Sequence, residues 1–322
     1  MTSHGGTTVR GERILTHSQP TNRHKKSEMR MTYENGISSL HIIDSTKERD
    51  GEPGRSLEAR LTNNPPVFSG LPIHLHQVTF REDFQKVLDA IYRDEATRGR
   101  SPLLHFELHG SESGIALRDD TAISWDEFAL ELTRFNLATR FNLLVVLSCC
   151  QGFLQIHSMN YSRVCPFNGL VSCTGIAQTS ELLYGFEILY RSLAAKIPIQ
   201  KAVEVMNRGL KAESDIEFGF ESAHLMFLSV VAAIYRDNMK PEYLTEKKKI
   251  HRRKMEQDKA LSGSLTPISD ADVENSFLEC IDWEINKFYF NYFAIDKIPE
   301  NAEKYSFEWL VKDVRRRIAS GN

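Results

Sequence analysis

An α/β layer fold with a mainly parallel central sheet and a helical C-terminal extension is predicted by the order of the apolar segments. Short apolar runs closed by turn residues alternate with stretches of helical period, and the helices between them are long enough to serve as crossovers. Two runs, Pro102-Leu103-Leu104-His105-Phe106-Glu107-Leu108-His109-Gly110 and Leu143-Leu144-Val145-Val146-Leu147-Ser148-Cys149-Cys150-Gln151-Gly152, read as strands that end abruptly in reactive and flexible residues. Active groups in such sheets gather at the carboxyl ends of the strands.

Taken in order, residues 1–32 carry Gly, Ser, Thr, His and charges without an apolar period, which predicts a mobile basic tail. Ile37–Ile43 reads as the first strand, ended by Asp44-Ser45-Thr46, and the charged, Gly- and Pro-containing stretch Lys47–Pro72 reads as a loop. Ile73–Val78 alternates as a second strand. Arg81–Ala96 places Phe84, Val87, Leu88 and Ile91 at helical spacing. After the His109 strand, Gly114–Ile123 forms two short apolar pieces around Asp119-Asp120, a small hairpin. Ser124 with Glu127 three residues on is a capping-box pattern, opening a helix whose apolar side is Trp125, Phe128, Ala129 and Leu132.

Gly169–Cys173 is the next strand, followed by helices over Ser180–Ala195 and Ile199–Leu210. Ser222–Tyr235 is apolar nearly all round and is expected to be a helix. Glu242–Lys259 is strongly charged, with a basic run from Lys247 to Lys254 that reads first as a solvated helix face and otherwise as a nucleic-acid contact or a self-cleavage or regulatory site, and Leu261–Asp272 reads as a linker. Val273–Ile318 carries Phe277, Trp283, Phe288, Tyr289, Phe290, Tyr292, Phe293 and Trp309, an aromatic density that requires burial or a partner. The organisation expected is a tail over 1–32, an α/β domain over 33–236, and a C-terminal segment over 237–322 suited to regulation or partner binding.

Forty basic and 43 acidic side chains leave a formal charge of −3, so no bulk field selects nucleic acid or an anionic membrane as a partner. Five cysteines, two of them adjacent, suit a reducing compartment better than a disulfide framework, and the cytoplasm is the expected location. The first thirty residues lack the apolar core of a secretory signal, and no apolar run reaches the roughly 20 residues needed to span a bilayer. No Gly-rich loop is followed by Lys-Ser/Thr, which argues against nucleotide binding. Cys165 and Cys173 lack a paired zinc spacing with His157, and neither metal nor cofactor is expected.

The chemistry lies at two strand ends. A thiol at Cys150 and an imidazole at His109, 41 residues apart, can build a nucleophile and its base, and neither strand needs such a residue there for packing. Strand alternation points Cys149 and Cys150 to opposite faces, which favours one packed and one reactive thiol. His105, two residues before His109, is the better candidate for a satisfied structural histidine.

At Leu108-His109-Gly110 and Leu147-Ser148-Cys149-Cys150-Gln151-Gly152 the chain resembles caspase-fold cysteine peptidases, in particular their CHAT-domain variants. The likeness continues through the Asp-Asp hairpin, the helix opened by Ser124-Trp125, the strand at Gly169–Cys173 and the helix pair to Leu210. It implies a caspase-like three-layer sandwich and a cysteine endopeptidase acting on a protein partner under the control of a sensor. Carried over residue by residue, Cys150 is the nucleophile, His109 the base and then acid, and the N–H groups of Gly110 and Cys150 line the oxyanion hole. The resemblance also puts Ser148 and Asp44 at the specificity pocket. Caspases have glutamine and arginine there and metacaspases aspartate at both, so Asp44 favours a basic P1 residue. The alternative is a catalytically silent scaffold of the same fold.

Overall fold

In a computed structural model of the chain, residues 36–63, 71–150, 152–153, 160–173, 178–211, 216–263 and 266–319 are described. The tail expected over 1–32 and Gln151 lie outside them. Six strands form the central sheet in the order β2-β1-β3-β7-β8-β9, with β1 Ser39–Asp44, β2 Ile73–Gln77, β3 Pro102–Glu107, β7 Leu144–Ser148, β8 Gly169–Cys173 and β9 Phe218–Ser222. All neighbours are parallel except the last pair, where β9 runs antiparallel to β8. β1, β3, β7 and β8 are buried at every position, which is why they read as near-continuous apolar runs.

Helices cover both faces. On one side α1 (Pro53–Thr62), α4 (Thr179–Ala194) and α5 (Ile199–Leu210) pack their apolar stripes on Leu40, Ile42, Leu103 and Val146. On the other, α2 (Arg81–Asp94), α3 (Trp125–Ala138) and α6 (Ala223–Asn238) pack on Ile43, Leu104, Phe106 and Leu147. The Ser124 hydroxyl accepts from the Glu127 N–H at 3.2 Å, and the Glu127 carboxylate accepts from the Ser124 N–H at 3.1 Å, so the capping box forms as the spacing predicts. The expected loop over Lys47–Pro72 is corrected in part. Glu48–Asp50 makes a 3-10 turn and α1 follows, started by Pro53 and held by Leu57 and Leu61, four residues apart and both fully buried. β9 and the short β4 (His109–Ser111) are also additions, the latter extending the predicted hairpin of β5 (Gly114–Ala116) and β6 (Ala122–Ser124) to a three-stranded sheet.

The helical extension comprises α7 (Pro241–Ser262), α8 (Asp270–Tyr292), the short α9 (Asn301–Lys304) and α10 (Phe307–Ala319). Several charges of the basic run tie α7 to α8: Lys248 pairs with Glu274, Arg252 with Asp270, and His251 meets the Ser276 hydroxyl. The described residues from 36 to 319 belong to one compact unit that continues across position 236. Most aromatic residues of the extension join the core over α6, where Phe293 stacks on Tyr305 and contacts Phe227, Tyr289 and Tyr292, whereas Trp283 and Phe290 are exposed. No helix among the described residues is long and apolar enough to cross a membrane.

His224 of α6 is buried beneath this layer, its ring against Tyr305 and Trp309 and its Nδ1 without a partner among the described residues. Burial lowers its pKa to about 4, against a weaker upward pull from Asp313. The unfolded chain takes up this proton near pH 6.5 and the folded chain only near pH 4, so stability is complete above the first value and declines toward the second. The expected slope approaches about 1.4 kcal/mol per pH unit, for a total on the order of 3 kcal/mol. Urea midpoints of the chain and of His224→Gln across this range check it: the variant should show a shallower loss, and parallel curves would assign the loss elsewhere.

Candidate active site

The chain leaves β1 for the edge strand β2 and then crosses to the other side of β1 to form β3, so the strand order reverses between β1 and β3. A crevice opens outside the carboxyl ends of strands at such a point. The parallel register Glu107↔Ser148 between β3 and β7, continued by the Leu108 N–H donating to the Ser148 carbonyl at 3.3 Å, brings His109-Gly110 beside Cys149-Cys150. The Gly110 backbone presses directly on this turn. A Cβ at 110 would lie 2.1 Å from the Cys150 carbonyl oxygen and 3.2 Å from the Cys149 Cβ and Sγ.

Gly110→Ala is therefore expected to force backbone apart and cost roughly 1–3 kcal/mol or more. Gly152→Ala should cost less, because its Cβ would meet the Ser172 hydroxyl, a side-chain atom, at 2.3 Å. Thermal or urea denaturation of the two variants gives the comparison; equal stability would mean that the 109–110 backbone yields freely.

The tight turn after β7 throws the second thiol off the strand. The Cys149 carbonyl accepts from the Gly152 N–H at 3.3 Å and from the Cys173 thiol at 3.5 Å. Cys149 is buried, and desolvation pushes its thiol far above the ordinary value, so it stays protonated and inert. Cys150 is half-buried and is the accessible thiol of the pair.

His109 is 47% exposed, and its Nε2 lies 2.9 Å from an Asp50 carboxylate oxygen. Asp50 ends the 3-10 turn after β1, where the Lys47 N–H also donates to it at 2.9 Å. The turn is fastened to the hairpin by Lys47–Asp120 and by the Arg118 guanidinium on the Thr46 carbonyl at 2.6 Å. Because a carboxylate only accepts, the proton of the neutral imidazole sits on Nε2 in this arrangement, and Nδ1 of that tautomer keeps a lone pair. No hydrogen bond joins His109 to Cys150 among the described residues; the backbones are adjacent and the imidazole is oriented by Asp50. Asp50, 59 residues from His109, is the participant that the sequence reading missed.

The remaining candidates form one row. Register places Asp44 beside Glu107 and Glu107 beside Ser148, three adjacent positions facing the α1 and α4 layer. Asp44 is fully buried, accepting from the Thr46 N–H at 2.9 Å, the Thr46 hydroxyl at 2.6 Å and the Gly54 N–H at 3.2 Å. It closes a turn and caps α1, so the carboxylate expected at the pocket surface is spent inside the protein. The Ser148 hydroxyl is buried without a hydrogen-bond partner among the described residues. Glu107 is buried and accepts from His105 Nε2 at 2.8 Å, while His105 Nδ1 accepts from the Tyr190 hydroxyl at 2.5 Å. His105 is thus the satisfied histidine. Glu107, two residues before His109, was legible by strand alternation but was not singled out.

A cavity of about 410 Å³ lies beside α3 and the end of α8 and includes neither His109 nor Cys150. The crevice rests on the strand-end geometry instead. Comparison with protein-family models and with curated proteins gave no match.

Proposed function

We propose that the chain is a caspase-like cysteine endopeptidase that cuts a protein partner after a basic residue, with its α/β layers forming the caspase-like three-layer sandwich. The observation that carries this is the delivery of an Asp50-fixed imidazole and an accessible thiol to neighbouring ends of β3 and β7. In this reading the exposed His109 ring turns until Nδ1 meets the thiol. The Cys150 proton passes to Nδ1, the thiolate adds to the scissile carbonyl, and the leaving amine takes the proton back. Water, deprotonated by Nδ1, then hydrolyses the thioester. The N–H groups of Gly110 and Cys150 would receive the oxyanion, where one donor is typically worth about 3 kcal/mol of barrier.

The basic preference is supported by Glu107 and by the orphan Ser148 hydroxyl beside it. A buried unpaired hydroxyl costs roughly 1–3 kcal/mol, which a substrate side chain or its water would recover. The turn at Glu48–Asp50, which must hold Asp50 for the imidazole to be oriented, is the natural point for a partner to switch activity.

A second reading, a silent caspase-fold interaction module, is favoured by the missing His109–Cys150 hydrogen bond. Peptides with Arg or Lys at P1, and an electrophilic ketone built on the same peptides, separate the two. Cleavage with labelling of Cys150 supports the peptidase; a chain in which no thiol is labelled selectively, with candidate partners added, is the scaffold.

A further inference from the structure

Away from the strand ends, the outer edge of the sheet carries a cluster that the proposed peptidase does not use. His41 of β1 is paired in register with His74 of β2, and His76 follows two residues on, so alternation puts the three imidazoles on one face. The His41 ring stacks on His74 at 4.8 Å and on His76 at 5.2 Å between centroids. Glu95, just past the end of α2, completes the group: its Oε1 lies 3.0 Å from His41 Nε2. Its Oε2 accepts from the hydroxyls of Ser39 at 2.6 Å and Ser38 at 2.9 Å. His41 and Glu95 are buried, whereas His74 is exposed.

We propose that His41, His74 and Glu95 bind one divalent transition-metal ion of the zinc class, with His76, Ser38 and Ser39 orienting the ligands. One donor atom from each of the three lies within 4.8 Å of the others. Tetrahedral coordination at about 2.1 Å needs donors roughly 3.4 Å apart, so the exposed His74 ring has to move inward and turn out of its stack on His41. Two imidazoles and one carboxylate are a ligand set that zinc accepts with a fourth position left to water.

The surrounding bonds are those a metal site requires. In the metal-free chain His41 Nε2–H donates to Glu95 and His41 Nδ1 faces His76 Nε2 at 3.0 Å. When an ion takes the place of the Nε2 proton between His41 and Glu95, His41 carries its proton on Nδ1 and donates it to His76. His76 thereby fixes the tautomer and ring plane of a ligand, and the two serines do the same for the carboxylate. The ion would join β1, β2 and the end of α2, and β2 has no other strand neighbour. Expecting no metal from the sequence rested on cysteine spacings; the signal passed over was His74-Leu75-His76 on a strand.

The test uses the untagged full chain, stripped with EDTA and titrated with ZnCl2 or CoCl2. One ion per chain should bind and raise the melting temperature, and the Co2+ spectrum should lack a thiolate charge-transfer band. His74→Ala and Glu95→Gln should each weaken binding at least about tenfold, while Cys150→Ala keeps it. His74 is exposed, so the EDTA-treated His74→Ala chain should melt as the parent does. Failure to retain an ion, unchanged affinity in both variants, or a thiolate band lost with Cys150→Ala would each overturn the assignment. None of these outcomes bears on the peptidase proposal.

Discussion

Cys150→Ala is expected to reduce peptide cleavage to background, and His109→Ala to lower kcat/KM by roughly 10²–10⁴-fold, the range that a positioned general acid and base contributes. The more informative substitutions are at Asp50. Its carboxylate keeps the His109 proton on Nε2, so Asp50→Ala frees the imidazole to adopt either tautomer and to turn away, at an expected cost of about 10²-fold in kcat. Asp50→Asn should be at least as harmful despite its shape, because an amide can donate to Nε2 and so favour the tautomer whose Nδ1 already bears a proton. A merely structural Asp50 would give the opposite order, since Asn preserves the turn bond from the Lys47 N–H. Measurement of kcat and KM on a peptide with Arg at P1, with urea midpoints for each variant, separates the cases. Activity of Asp50→Asn equal to that of the parent would remove Asp50 from the machinery.

The acidic row bears on which substrates reach that machinery. Asp44 and Glu107 sit side by side in register, yet only Glu107 is free of turn-closing bonds. Any recognition of a basic side chain therefore falls to Glu107 and Ser148, with Asp44 acting through the placement of α1. The caspase resemblance drew attention to the two outer members of the row; alternation along β3 supplies the middle one.

What was legible in the sequence follows the range of the interactions. The Ser124 capping box is a contact across three residues, and β1, β3, β7 and β8 are buried on both faces, so propensity and burial agree. α1 was hidden because only Leu57 and Leu61 mark its buried side among charges, behind a Pro-Gly pair that resembles a turn. β4 and β9 are three and five residues long: β4 is too short to show a period and pairs locally with β5, whereas β9 takes its strand character from β8, distant in the chain. Positions at the site divide the same way. His109 and Cys150 end apolar runs and stand out locally, whereas Asp50 acquires its role only when the turn after β1 folds over the end of β3. The His41, His74 and Glu95 cluster likewise needs register between two strands and the end of a helix before it exists.

The C-terminal aromatic segment poses the largest stability question, and Phe293→Ala should answer it. Phe293 is fully buried with its ring 4.3 Å from Tyr305, 5.1 Å from Phe227 and 6.0 Å from Phe141 between centroids. Phe141 closes the turn before β7, and Lys304 donates to its carbonyl at 3.2 Å, so this ring lies where the helical extension meets the strand that ends at Cys150. Truncation of such a side chain costs roughly 3–5 kcal/mol through lost transfer energy and the cavity left behind. Phe290→Ala, three residues earlier on α8 but 47% exposed, should cost under about 1 kcal/mol. Because the extension and the sheet share one core, Phe293→Ala should lower the urea midpoint seen by far-UV dichroism and by tryptophan fluorescence together. The described tryptophans divide usefully: Trp125 reports on the sheet side, and Trp283 and Trp309 on the extension. If Trp309 reports an early transition while Trp125 keeps the parent midpoint, the extension unfolds as an independent unit, and the continuity of the core across residue 236 has no energetic weight.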